Sequence, residues 1–309
     1  MMLIDRIGLL ALAMLAGLTA CSDAETAEGK EEVLNVLLIP ADGGTEDGTR
    51  ADYEPLFAAV GKATGLRFDL KVAQAYGAVV EAMCNGSADI AFVGPVTYLQ
   101  AKDRGCGELL AVAVEEGQSV YYAGIFARAD SSLHDLDDLR GKSVAFGDVN
   151  STSSFVYPVA MLLKGGLDPV KDLGALRLTG THANSLAALT EGRVDAAALS
   201  LDSYEKAVRA GVPGARDVRV IARSQAIPYP PLVMNTRLAP ELKRELRKAF
   251  QNVATAPGVR PEMIRGYGGK QVDGYDTEFP AENFDSAARE MALLSDELRG
   301  EILKKSAER

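Results

Sequence analysis

Gly147-Asp148-Val149-Asn150-Ser151-Thr152-Ser153-Ser154-Phe155 joins one short apolar run, Ser143 to Phe146, to a second, Phe155 to Leu163. The first run reads as a strand. The second carries its apolar residues at helical spacing and stops at Gly165-Gly166, so the junction is a strand turning into a helix. Hydroxyl and amide side chains crowd that turn. The first turn of a helix leaves backbone N–H groups unpaired and carries partial positive charge. Hydroxyls added there make a donor-rich socket for an oxyanion. A plain helix cap at Ser151 or Thr152 is the alternative, and the junction alone does not choose between them.

The chain around it has 309 residues, 47% apolar and 25% charged. That is a soluble composition, long enough for two α/β domains. The formal net charge of -10 disfavours nucleic acid as a partner. It also requires any anion site to be built from local donors, against the overall field.

Ile7 to Ala20 is apolar, follows Arg6 and is too short to span a bilayer, so residues 1–20 read as a signal peptide. Leu18-Thr19-Ala20-Cys21 resembles a bacterial lipobox, with Cys21 the residue lipidated after cleavage and residues 21–32 a polar, acidic tether. An ordinary signal peptide followed by an incidental cysteine is the other reading. Export permits a disulfide between Cys84 and Cys106, and two free thiols fit the sequence equally. Neither cysteine has metal-ligand company, and the chain holds only two histidines, His134 and His182. No metal site and no cofactor are expected.

Outward from the junction, strand and helix alternate. Val33 to Pro40 is a continuous apolar strand. Residues 41–49 form a loop of small, acidic and glycine residues, and Tyr53, Leu56, Phe57 and Val60 mark a helix face closed by Gly65. Further strands fall at Leu66–Ala73, Ala88–Val93 and Leu109–Val114, with helices at Tyr76–Met83 and Thr97–Lys102. Val120 to Ala127 is extended. The pattern then restarts: a short helix at Leu133–Lys142, strands at Leu176–Thr179, Val194–Leu199 and Val218–Ala222, and helices at Ala183–Thr190 and Ser203–Ala210. From Ile227 the chain is extended and rich in proline. Helices at Pro240–Ala254 and Ala281–Lys305 finish it, with 258–278 a surface connection. Alternation of this kind argues for βαβ units and parallel sheets. The expected organisation is α/β, with 33–125 and 226–309 forming one lobe and 126–225 a second lobe inserted into it. Two crossing segments make a hinge, and a cleft between lobes suits a small ligand.

Four segments carry a resemblance. They are Ala75 to Ala82 with Ala88 to Pro95, Gly147 to Phe155, Gly180-Thr181-His182, and Val194 to Asp202. In this order and spacing, from about Val33 to Leu298, the chain resembles the phosphate/phosphite/phosphonate substrate-binding proteins of ABC transporters. The resemblance implies a type II periplasmic-binding-protein fold: two lobes, each a mostly parallel sheet flanked by helices, closing on a phosphonate-type headgroup at a two-segment hinge. It implies that Tyr76 and Tyr121 send hydroxyls to the anion, with Tyr122 a wall. It implies that Ser151, Thr152 and Ser153 cradle its oxygens, that His182 donates a further bond, and that Asp202 faces the substituent on phosphorus. The implied partners are a small phosphorus oxyanion and an inner-membrane ABC permease. The protein would be a monomer on the periplasmic side of the cell envelope, held by the lipid on Cys21. In relatives that take aminoalkylphosphonates a second acidic residue follows the hinge proline; here that position is Pro230. The ligand is therefore expected to be phosphate, phosphite or methylphosphonate. Ser154 stands where the family usually has glycine, and the 41–49 loop is longer than the family's.

Each residue also has a structural reading. Tyr76 and Tyr121 serve as half-buried aromatics, His182 caps its helix, and Asp202 caps a helix starting at Ser203. Thr97 and Tyr98 line the cleft or pack beneath it. Ser153, His182 and Asp202 follow a nucleophile–base–acid order, but no Gly-x-Ser-x-Gly elbow and no phosphate-binding P-loop accompany them, so hydrolysis is not expected. Two other classes compete: a binding protein for a sulfonate or a thiamine-type pyrimidine on the same fold, and a ligand-sensing partner of a membrane receptor.

Overall fold

A computed structural model describes residues 33–41 and 46–308. The leader, Cys21 and the tether lie outside the described residues. In chain order the elements of the first lobe are β1 (Val33–Leu38), α1 (Glu46–Thr64), β2 (Arg67–Val72), α2 (Tyr76–Asn85), β3 (Ile90–Phe92), α3 (Pro95–Asp103) and β4 (Gly107–Val114). A short crossing strand, β5 (Val120–Tyr121), leads to β6 (Ala123–Arg128), β7 (Ser143–Phe146), α4 (Tyr157–Lys164), β8 (Ala175–Leu178), α5 (His182–Thr190), β9 (Ala196–Ser200), α6 (Leu201–Arg209) and β10 (Val218–Arg223). The return runs through β11 (Ile227–Pro228) to β12 (Pro231–Asn235), α7 (Pro240–Asn252), β13 (Gly274–Asp276), α8 (Asp285–Ala292) and α9 (Asp296–Ser306).

The strands form two main sheets, in the orders β13-β4-β12-β3-β1-β2 and β10-β6-β9-β7-β8. Both are mixed rather than mostly parallel. β1 pairs in parallel with β2 and β3, and β7 with β8 and β9. The strands that arrive from the crossings run against them: β12 is antiparallel to β3 and β4, and β6 to β9 and β10. The reason is geometric, because a chain that leaves one sheet and enters the next comes in from the cleft end. The crossing strands β5 and β11 also pair with each other, Tyr121 opposite Ile227.

Tyr53, Leu56, Phe57 and Val60 turn the same face of α1 to the first core, as their spacing requires. That helix begins at Glu46, so residues 46–49, expected in a loop, are helical, and 42–45 lie outside the described residues. Between 133 and 142 only one 3-10 turn forms, Asp137–Leu139. The final helix is broken after Ala292, and Ser295 caps α9 by accepting from the Leu298 amide at 3.2 Å.

The C-terminal segment departs from its expected lobe. Phe284, just before α8, meets Tyr98 of α3 edge-on, while Glu290 of α8 bonds Lys164 of α4 and Gln225 of the return crossing. Leu294 and Ile302 are buried in the core of the second lobe, and Lys305 donates to the Leu173 carbonyl at 2.7 Å. α9 therefore belongs with the second lobe, against the β8 edge, and three segments rather than two join the lobes. An amphipathic helix settles where apolar surface awaits cover, and sequence order does not reveal which lobe supplies it.

Candidate functional site

After β7 the chain makes the predicted turn, and Ser151 caps the helical segment by accepting from the Ser154 amide at 3.2 Å. The first turn is not α-helical: Thr152–Val156 forms a π-helical turn before α4. Such widened turns gather at functional sites because they re-aim side chains. Residues Ser151 to Ser154 are all at most 2% exposed. Ser154 Oγ donates to Ser151 Oγ at 2.7 Å and faces Gly147, where an added Cβ would lie only 2.1 Å from that oxygen. Ser154 thus lies outside the lining of the cavity described below and demands a glycine opposite it.

Segment 148–152 also docks on the first lobe. Thr152 Oγ1 accepts from the Val96 amide at 2.9 Å, Asp148 accepts from the Tyr76 amide at 3.3 Å, and Gln100 donates to the Asn150 side chain at 2.9 Å. The helices so reached, α2 and α3, begin at Ala75 and Gly94, neither of which carries a capping side chain. Acceptors from the opposite lobe therefore cap their first turns.

α5 is capped by Thr181, whose Oγ1 accepts from the Asn184 amide at 3.0 Å, so the next residue, His182, is free to turn inward and is 1% exposed. Its Nδ1 accepts from the Ser200 amide at 3.0 Å, and its Nε2 lies 3.3 Å from the Tyr267 hydroxyl. The proton is therefore on Nε2. Burial pulls its pKa down to about 3, so the ring is neutral. Tyr121 is fully enclosed. Burial drives its phenol well above the ordinary value, and hydrogen bonds with the Ser153 and Thr152 side chains act against that rise.

One small cavity, with a volume of about 10 Å3, is lined by Tyr76, Tyr121, Ser151, Thr152, Ser153 and His182, together with Ile39, Gly94, Pro230 and Tyr267. Six of the seven predicted ligand residues thus converge from both lobes and from the crossing. None of the ten lining residues carries a formal charge, and all are buried. The lobes are shut.

Asp202 is not among them. It lines a second space on the far side of Tyr121, with Tyr122, Glu115, Glu116, Glu205, Arg223 and Lys270. The reason lies in where α6 starts. Ser200 caps it, accepting from the Ser203 amide at 3.0 Å, so Asp202 falls in the first turn beyond the cap and does not cap the helix itself. Tyr122 lies beneath the Arg223 guanidinium, 3.6 Å from ring centre to charge. Thr97 and Tyr98 are packing residues: Thr97 bonds the Asn150 carbonyl, and Tyr98 stacks edge-on with Phe284. Ser153, His182 and Asp202 make no relay, since a main-chain amide already holds His182 Nδ1, the atom a carboxylate would have to orient. Among the described residues no group of His, Cys, Asp or Glu side chains could hold a metal ion. Cys84 and Cys106 form a disulfide between the end of α2 and the start of β4.

Tyr267 is a lining residue that the sequence does not flag, as are Ile39 and Gly94. It sits in 258–278, expected as a surface connection, yet it is 2% exposed. The available signal was an aromatic flanked by glycines, Gly266-Tyr267-Gly268-Gly269, a composition that lets backbone approach closely.

A family model described as the periplasmic substrate-binding protein of phosphonate ABC transporters matches residues 44–275. A phosphate-import protein PhnD of Mycolicibacterium smegmatis is 31% identical over 260 residues, 79% of this chain and 80% of that protein. A phosphonates-binding periplasmic protein of Escherichia coli is 25% identical over 244 residues, 77% of this chain and 71% of that one. Among solved structures, the binding component of an ABC phosphonate transporter from Pseudomonas aeruginosa superposes with a TM-score of 0.72 at 24% identity, covering 89% of this chain and 96% of that one. A Prochlorococcus marinus protein in complex with methylphosphonate gives 0.71 at 17% identity, covering 85% and 99%.

Proposed function

The chain belongs to the periplasmic substrate-binding proteins of phosphonate ABC transporters, and from that premise we propose that it captures a small phosphorus oxyanion, namely phosphite, methylphosphonate or phosphate, in the cavity between its lobes. One observation supports the reading: Tyr76, Tyr121, Ser151, Thr152, Ser153 and His182 line one small cavity whose walls carry no formal charge. A ligand with one or two negative charges and three acceptor oxygens is well served by neutral donors, which cost less to desolvate than buried cations. Each bond to the charged oxygens contributes about 1.5–3 kcal/mol, more as closure excludes water. Ile39 and Pro230 give the same cavity an apolar side for the fourth group on phosphorus.

The same reading makes closure the mechanism, with no covalent step and with delivery to an inner-membrane ABC permease. A lipid on Cys21 holds the protein at the membrane, and residues 21–32 give it reach. Methylphosphonate in a sister protein of the same fold supports the ligand class. The test is calorimetric titration of the purified protein with phosphate, phosphite, methylphosphonate, 2-aminoethylphosphonate and sulfate. Saturable binding of a phosphorus oxyanion, lost in Ser151→Ala/Thr152→Ala, is the expected result. Binding of sulfate alone would hand the site to a sulfonate-type ligand.

A further inference from the structure

Tyr267 reaches the cavity from a segment that carries none of the site motifs, and it is held at three places. Its amide donates to the Tyr229 hydroxyl at 2.9 Å. Its ring stacks on Phe92 and meets Tyr121 edge-on, with centroids 6.1 and 5.8 Å apart. Its hydroxyl crosses to the other lobe, 3.3 Å from His182 Nε2, 3.2 Å from Ser200 Oγ and 3.1 Å from Ser203 Oγ.

The turn beneath it has no slack. Gly268 and Gly269 have φ of +64° and +68°, a backbone region that disfavours side chains. A Cβ on Gly266 would fall 2.7 Å from the Tyr229 hydroxyl, and one on Gly269 2.5 Å from Asp52. A ring fixed by its own backbone, by two aromatic neighbours and by a bridge to the opposite lobe cannot swing aside for a larger guest.

We propose that Tyr267 sets the size limit of the anion cavity, favouring a phosphorus oxyanion with a small substituent such as methyl over one with a longer chain. The inference rests on the phosphorus-oxyanion reading above. The donors of that cavity come from Tyr76, Tyr121, the 151–153 turn and His182. Tyr267 closes it while bridging to His182, so the residue that limits volume also fixes where the Nε2 proton points. Pro230 and Ile39 are smaller, and each adjoins a strand end, Pro230 before β12 and Ile39 after β1.

The test compares methylphosphonate with propylphosphonate by calorimetry in the wild type, Tyr267→Phe and Tyr267→Ala. One extra methylene against a filled pocket changes affinity by about 10- to 200-fold. The wild type should therefore prefer methylphosphonate by about 100-fold or more, on the same basis. Tyr267→Phe keeps the ring and should keep that ratio while weakening both ligands by about tenfold, the value of one hydrogen bond. Tyr267→Ala should bring the ratio below about ten, since the added methylenes then fill the space of the ring. Where Tyr267→Ala does not fold, Tyr267→Leu makes the same comparison with an apolar side chain retained. A role in stability alone would lower the melting temperature and leave the ratio untouched, and that result overturns the inference. So does a wild type that binds both ligands equally. If neither phosphate, phosphite nor either phosphonate binds the wild type, the functional reading falls and takes this inference with it. If methylphosphonate binds and Ser151→Ala abolishes it while the ratio survives in Tyr267→Ala and Tyr267→Leu, only this inference falls.

Discussion

The amide of Ser200 donates to Nδ1 of His182 at 3.0 Å, which leaves the imidazole one proton, on Nε2, facing the cavity. Because burial depresses the folded pKa to about 3 from an ordinary 6.5, the unfolded chain takes up a proton at this site before the folded one does. The stability this site contributes is complete above pH 6.5 and is lost as pH falls toward 3. At pH 5 the loss amounts to about 2 kcal/mol. Denaturant titrations at pH 7 and pH 5 should show His182→Gln to be less pH-sensitive than the wild type by that amount. Equal slopes in the two proteins would contradict a neutral, buried His182.

Thr152 serves two lobes with one oxygen, taking the Val96 amide of the first while lining the cavity from the second. Thr152→Val keeps the shape but leaves that amide without its acceptor, at a cost of about 1–3 kcal/mol. The expected outcome is methylphosphonate affinity lower by about 10- to 100-fold, the same energy expressed as a ratio together with a lost donor. A variant that binds as the wild type does would remove Thr152 from both roles.

Two neighbouring polar residues should behave differently. Ser154 faces Gly147, and Asp202 lines the space beyond Tyr121. Ser154→Gly should lower stability by about 1 kcal/mol, as glycine does within a helix, and leave affinity within about twofold. Asp202→Asn should leave methylphosphonate affinity within about threefold, the scale of a charge that acts without contact through a polar site. Calorimetry on both variants beside Ser151→Ala checks this. A loss at Asp202 as large as at Ser151 would return its carboxylate to the ligand.

The Cys84–Cys106 bridge spans 22 residues of sequence. A closed loop of that length restricts the unfolded chain by about 3 kcal/mol. Cys84→Ser/Cys106→Ser should therefore melt earlier by roughly 3–6 °C for a chain of this size. It should still bind, because the bridge lies at the end of α2 opposite Tyr76. A reductant-independent melting temperature would show the bridge to be absent in solution.

Most of the candidate site is legible in the chain because its polar side chains cluster in short strings. Ser151 to Ser153 and Gly180-Thr181-His182 each place side chains at a helix start, where local chemistry dictates what the main chain offers. Tyr267 is a different kind of residue. Its place depends on a turn that Tyr229, Phe92 and Asp52 confine, and no local periodicity reports contacts made across so many intervening residues. α9 was hidden for the same reason: its pattern announced a helix, and only the uncovered β8 edge decided where it would lie. Asp202 does not cap α6, because the helix starts at Leu201 with Ser200 as its cap, and a shift in cap position rotates a helical side chain by about 100° per residue.

Ala75 and Gly94, which have nothing to cap with, make α2 and α3 dependent on Asp148 and Thr152 across the cleft. A helix start without its acceptor is poorer by about 1 kcal/mol. Contact across the cleft therefore satisfies two helix starts with no guest present, and it does so with acceptors from the turn that lines the cavity. An aspartate installed at Ala75 would satisfy α2 without that contact. Gly94 admits no such repair, because a Cβ there would lie 3.0 Å from Thr152 Oγ1.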